Sequence, residues 1–119
     1  MNLLFVCSRN QWRSPTAEKV WSRSPYVSVR SAGTSPRARR TITMKDVQWA
    51  DLVLVMQDKH RQRVRDRFRD EVGKNNLVVL DIPDEYRFMD PELVQRVTDQ
   101  VTRVLQSRGV LPQPTHSEP

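Results

Sequence analysis

Leu3-Leu4-Phe5-Val6 is an unbroken apolar run, the pattern of a strand buried on both faces. A polar stretch follows, and Ser14-Pro15 then predicts a helix start. Serine would be the N-cap, proline the first helical residue, and Glu18 would lie near the positive end of the dipole. Ala17, Val20 and Trp21 form its inward face, and Ser24-Pro25 ends it. Val27 and Val29 alternate with Ser28 and Arg30, which predicts a second strand ending near Ser31. Residues 32–40 read as loop, marked by Gly33 and Pro36. Thr43 and Asp46 have capping-box spacing at the start of a short helix through Ala50. Residues 52–56 carry the clearest strand pattern, a helix over 58–68 follows, and a turn at 73–76 leads to a fourth strand at 77–80. Residues 81–90 form a loop with Pro83. The last helix, 91–105, lines up Leu93, Val94, Val97, Val101, Val104 and Leu105 on one side. Residues 1–106 thus make one domain, and 107–119, rich in proline, read as a tail without fixed structure.

Strands alternating with helices predict a three-layer α/β fold: a four-stranded parallel sheet with helices on both faces. In such folds ligands sit beyond the carboxyl ends of the strands, where strand order reverses. The loops after the first, third and fourth strands leave that edge, so Cys7 and the region of Asp84 can meet there.

Composition narrows the chemistry. Hydrophobic content of 37% and charged content of 29% suit one globular domain in a chain of 119 residues. The early apolar run is too short to cross a bilayer and lacks the basic start and cleavage site of a signal peptide, so the expectation is a cytoplasmic protein with no membrane partner. Cys7 is the single cysteine, and His60 and His116 lie far apart. Neither an internal disulfide nor a metal cluster is expected, and no cofactor. The excess of 20 Lys+Arg over 14 Asp+Glu favours anionic partners. Arg61, Arg63, Arg65, Arg67 and Arg69 nevertheless fan around a helix among Asp58, Asp66, Asp70 and Glu71. That is the pattern of a solvated helix with local ion pairs, not of a specific nucleic-acid site.

The residues after the first strand carry the chemistry. Five residues separate Cys7 from Arg13, which stands directly before a helix N-terminus. An arc of that length can turn its backbone N–H groups inward as a nest for an oxyanion, and the helix end adds further donors. Arg13 adds a planar fork for two phosphate oxygens. The same fields stabilise a thiolate and make Cys7 nucleophilic, with Ser14 placed to donate toward the sulfur.

Leu4-Phe5-Val6-Cys7, Asn10, Arg13-Ser14-Pro15 and Ala17-Glu18 are followed in order by Ser31-Ala32-Gly33-Thr34, Ala38-Arg39, Ala50-Asp51-Leu52 and Val55-Met56. Ile82-Pro83-Asp84-Glu85-Tyr86 completes the series. Over residues 1–106 the chain resembles a low-molecular-weight protein tyrosine phosphatase of a shortened bacterial branch. The resemblance implies that Cys7 attacks phosphorus while Arg13 and the loop amides of Ser8, Arg9, Asn10, Gln11, Trp12 and Ser14 hold the oxygens. It implies a left-handed Asn10 bracing the loop through Ser14 and Ser31. Asp84 would be the general acid and then the general base, with Asp90 the alternative acid. Tyr86 would either flank the bound ring or serve as a half-buried structural tyrosine. Trp49, Met44, Met56 and Met89 read as packing residues.

Departures from the family pattern bear on substrate. Arg9 replaces a usual glycine and either narrows the loop mouth or adds charge toward the substrate. Trp12 replaces a second cysteine, so no protective disulfide can form. Gln11 stands where phosphoarginine-specific members carry threonine. The segment between Gly33 and Ala38, which normally supplies part of an aromatic wall, is short, and Glu85 follows the acid in place of proline. The expected function is metal-free hydrolysis of phosphomonoesters, protein phosphotyrosine foremost, by a monomer or weak dimer acting on a phosphorylated protein or small phosphomonoester. The alternatives are an arsenate reductase dependent on an external thiol, and a non-catalytic phosphate or phosphoprotein-binding module.

Overall fold

The computed structural model describes residues 1–73 and 76–112. Its elements are β1 (Asn2–Cys7), α1 (Arg13–Trp21), β2 (Ser28–Gly33), α2 (Met44–Trp49), β3 (Leu52–Val55), α3 (Asp58–Phe68), β4 (Leu77–Val79) and α4 (Pro91–Ser107). Every strand pairing is parallel, in the order β2-β1-β3-β4. The two inner strands are the two continuous apolar runs, because both of their faces must be covered. Leu3, Phe5, Leu52 and Leu54 pack with Ala17 and Trp21 of α1 and Leu93, Val97, Val101 and Leu105 of α4. Leu4, Val6, Val53 and Val55 pack on the opposite face with Val47 of α2 and Val64 and Phe68 of α3. The three-layer sheet is therefore the one expected. From β1 the chain first builds outward to β2 and then returns to the other side with β3, so a crevice opens between the carboxyl ends of β1 and β3.

Several boundaries differ from the sequence expectation. α1 begins at Arg13 with Trp12 in the N-cap position and no side-chain cap, so Ser14 and Pro15 lie inside the first turn. Proline is at ease there because first-turn N–H groups have no intrahelical partner. β2 continues through Ala32 and Gly33, which pair with Val6 and Cys7. α4 runs to Ser107, and the start of the expected tail folds back. Gly109 takes φ 73, the N–H groups of Val110 and Leu111 reach the Leu105 carbonyl at 2.9 and 3.3 Å, and both side chains pack on the core. Residues 113–119 lie outside the described residues. Met44, expected to pack, is 49% exposed at the first position of α2. The capping box there is present: Thr43 Oγ1 accepts from Asp46 N at 3.2 Å, and Asp46 Oδ2 accepts from Thr43 N at 3.0 Å.

Candidate active site

The loop from Cys7 to Arg13 is shaped from outside by the segment that follows β2. Thr34 N donates to Cys7 O at 2.9 Å, Ser35 N to Ser8 O at 2.9 Å, and Arg39 N to Arg9 O at 3.0 Å. Arg39 Nε donates to Asn10 O at 3.1 Å. Four successive carbonyls are thus tied outward, which leaves the loop N–H groups for an anion. The approach is so close that only glycine fits at position 33: a Cβ there would stand 2.5 Å from both Ser8 O and Ala38 Cβ.

Inside the loop a directed chain of hydrogen bonds ends on the sulfur. Asn10 is left-handed at φ 53 and fully buried. Its Nδ2 donates to Ser31 Oγ and to Ser14 Oγ, both at 2.9 Å. Ser31 Oγ donates to Glu18 Oε1 at 2.5 Å. The amide nitrogen can only donate, so Ser31 accepts from Asn10 and gives its own proton to Glu18. Ser14, accepting from Asn10, has its own proton to place between Cys7 Sγ, 3.0 Å away, and the Ala32 carbonyl at 3.4 Å. This is the hydroxyl's use in place of a helix cap. Glu18 lies beyond the first turn of α1 and polarises this chain instead of serving the dipole.

Arg13 is 3% exposed, and its Nη1 donates to Gln57 Oε1 at 2.7 Å and to the Ile82 carbonyl at 2.8 Å. Both Nη1 hydrogens are so placed, which leaves the Nε–Nη2 edge as a fork of the shape that fits two oxygens of an oxyanion. Nε lies 3.7 Å from Asp84 Oδ1. Burial lowers the Arg13 pKa, and the neighbouring Asp84 and Cys7 charges oppose that shift. Cys7, Ser8, Arg9, Gln11, Trp12, Arg13 and Asp84 line one cavity of about 40 Å³ at the carboxyl edge of the sheet. Gln11 and Trp12 are shared with a larger neighbouring cavity of about 600 Å³, whose other wall carries Phe88, Pro15 and Lys19.

Two of the residues singled out in the sequence lie elsewhere. Tyr86 is 6% exposed and belongs to the core on the α1/α4 side, with Arg96 over its ring, and it does not line the cavity of Cys7 and Arg13. Asp90 caps α4, its Oδ1 accepting from Glu92 N at 2.9 Å. Sequence reasoning missed Gln57, His60 and the relay role of Glu18. His60 is fully buried; its Nδ1 accepts from Gln57 N at 3.0 Å, so Nε2 carries the proton and donates to Ser8 Oγ at 2.8 Å. Burial, with Arg13, Lys59 and Arg63 nearby, depresses its pKa from 6.5 to about 3. The signal for Gln57 and His60 was position, since both come within five residues of the end of β3, at the edge where Cys7 ends β1.

The fold, with its phosphate-sized loop after β1, is that of the low-molecular-weight protein tyrosine phosphatases. The YwlE arginine phosphatase from Geobacillus stearothermophilus superposes with TM-score 0.68 at 23% identity, covering 97% of this chain and 99% of that one. The tyrosine phosphatase Wzb from Escherichia coli K30, solved with phosphate, gives TM-score 0.73 at 20% identity over 89% and 96%. Wzb from Vibrio vulnificus, solved with benzylphosphonate, gives 0.72 at 21% over 89% and 97%. No protein-family model and no curated relative matches the sequence.

Proposed function

We propose that this protein is a phosphatase that hydrolyses phosphomonoesters, protein phosphotyrosine foremost, through a cysteinyl-phosphate intermediate and without a metal. The observation that supports it is the convergence of Cys7, Arg13 and Asp84 on one small cavity, beneath a loop whose carbonyls are tied away from it. The Cys7 thiolate attacks phosphorus as the P–O bond to the leaving group breaks, and Asp84 gives its proton to the departing oxygen. Arg13 and the loop N–H groups hold the equatorial oxygens as charge develops. Water then attacks the phosphocysteine, the S–P bond breaks to return the thiolate, and Asp84 recovers a proton from that water. Ser14 steadies the sulfur as nucleophile and as leaving group.

A free thiolate nucleophile needs a reducing compartment, which suits a cytoplasmic protein. No helix among the described residues is long and apolar enough to cross a membrane. The test is steady-state hydrolysis of phenyl phosphate and of phosphotyrosine and phosphoarginine peptides, with and without chelator. Turnover insensitive to chelator and abolished by Cys7→Ala supports the reading. Vanadate binding without turnover by the unsubstituted protein would favour a binding module instead.

A further inference from the structure

Arg9, Arg37 and Arg39, together with Gln11, line an open cavity of about 410 Å³ that contains no carboxylate. Arg9 and Gln11 also border the cavity holding Cys7 and Arg13, so the two sites are continuous. All three arginines are exposed. Among the described residues, the side chains of Arg9 and Arg37 have neither a hydrogen-bond nor an ion-pair partner. Among the described residues the Arg39 side chain bonds only to Asn10, a neutral residue. Arg30 and Arg40 converge on Asp46 and Arg61 pairs with Asp58, whereas Arg23, Arg65, Arg69 and Arg103 are, among the described residues, as unpartnered as Arg9 and Arg37. What sets the cluster apart is its place, since its cavity adjoins that of Cys7 and Arg13.

The backbone that carries the cluster is held in place. Arg39 N donates to Arg9 O at 3.0 Å, and Arg37 N donates to Ser35 Oγ at 3.1 Å. Ser35 N in turn holds Ser8 O. The bonds that shape the phosphate loop therefore also fix the backbone from which these three arginines project. Three like charges gathered without a counter-charge repel one another, and an anion placed among them relieves that repulsion.

Resting on the phosphatase reading above, we infer that this cluster is a second-anion subsite. The preferred substrate carries a further carboxylate or phosphate near the scissile phosphate, and that group lies over Arg9 and Arg37. Guanidinium forks suit either anion. The contact persists from bound substrate to transition state, so it acts on KM and not on the chemical step.

The experiment compares phenyl phosphate with 1,3-phenylene bisphosphate, and phosphotyrosine peptides flanked by Asp with the same peptides flanked by Ala. The unsubstituted protein should show a lower KM for the doubly anionic member of at least one pair, an advantage that fades with added salt. Arg9→Ala and Arg37→Ala should each shrink that advantage by about fivefold, the upper range for an exposed ion pair. An advantage confined to the bisphosphate points to a small-molecule source of the second anion, and one confined to the Asp peptides to an acidic phosphoprotein. Equal KM within both pairs, or equal losses on singly and doubly anionic substrates in the variants, would overturn the subsite. Binding of phenylphosphonate against 3-carboxyphenylphosphonate, measured by calorimetry on the unsubstituted and Arg37→Ala proteins, judges the subsite independently of turnover. Failure of the phosphatase reading would thereby show separately, as absent hydrolysis of phenyl phosphate.

Discussion

Asp84 and Asp90 share one loop but differ in what their oxygens do. The Asp84 side chain is 56% exposed, faces the cavity of Cys7 and has Arg13 Nε 3.7 Å away. Asp90 has its Oδ1 engaged by the first turn of α4. Asp84→Asn should therefore slow esters with poor leaving groups by about a hundredfold and activated aryl esters far less, because only poor leaving groups need the proton. Asp90→Asn should change neither, since asparagine caps as well as aspartate, whereas Asp90→Ala should lower stability by about 1 kcal/mol. Leaving-group sensitivity in the Asp90→Asn variant would move the acid to that residue. Glu18 offers a second check at this scale. Glu18→Ala removes the acceptor of the Ser31 proton, and so loosens the group that holds Asn10 Nδ2 against Ser14. Turnover should fall about tenfold, less than the ~100-fold that attends deletion of a direct transition-state donor. Unchanged kcat would show that Ser14 keeps its orientation without the carboxylate.

At the scale of elements, the segment after β2 is the scaffold of the phosphate loop. Its N–H groups hold the loop carbonyls, and Arg63 and Arg67 of α3 reach Thr34 Oγ1 and O, each at 3.4 Å, to hold the segment in turn. The arginine-rich face of α3 therefore has a local structural task. Gly33 is where β2 passes into this segment, and a methyl group would collide with backbone on one side. Gly33→Ala should lower stability by about 1–3 kcal/mol through overpacking. It should also weaken phosphate binding, because Ser8 O must move for the chain to adapt. Chemical denaturation and inorganic-phosphate inhibition measured on the same preparation test both. Full stability with lost phosphate affinity would show that the loop, and not the sheet, absorbs the displacement.

Across the whole molecule, buried titratable groups couple the site to folding. His60 has its pKa depressed to about 3 in the folded state against 6.5 for an ordinary histidine. Between those values the unfolded chain binds the proton and the folded one does not, so stability falls as pH falls from about 6.5 toward 3. Asp46 acts in a lower window. Burial alone would raise its pKa, but the hydrogen bonds from Arg40 and Thr43 more than reverse this, and the net shift is downward. Its contribution is present above the ordinary carboxylate range and is lost as pH drops through its depressed value. Melting temperature between pH 6.5 and about 4.5, where carboxylates remain largely ionised, should thus report mainly on His60. His60→Gln should flatten the slope there. An identical slope in the variant would assign it to other groups.

How much of this was legible follows from which forces are local. Leu3–Val6 and the 52–56 run revealed the two central strands because burial on both faces leaves no room for polar residues. Thr43 with Asp46, and Asp90 with Pro91, marked helix starts through bonds that span only a few residues. Cys7, Arg13 and Ser14 showed as a candidate site because the geometry of an anion nest between strand and helix is also local. Ser14-Pro15 misled as a cap, since the serine hydroxyl had a stronger claim on it from Cys7 and Asn10. Tyr86 was ambiguous because one loop offers both a cavity and a core, and packing chose the core. Gln57, His60, Glu18 and the Arg37–Arg39 turn matter only through partners far along the chain, brought together when parallel strands end at one edge. Sequence by itself determined the layers and pointed to the loop after β1, with Cys7, as the candidate site. Tertiary structure alone decided which distant donors polarise the sulfur, which groups hold Arg13 and where uncompensated charge gathers, because those bonds form only after the sheet has aligned its carboxyl ends.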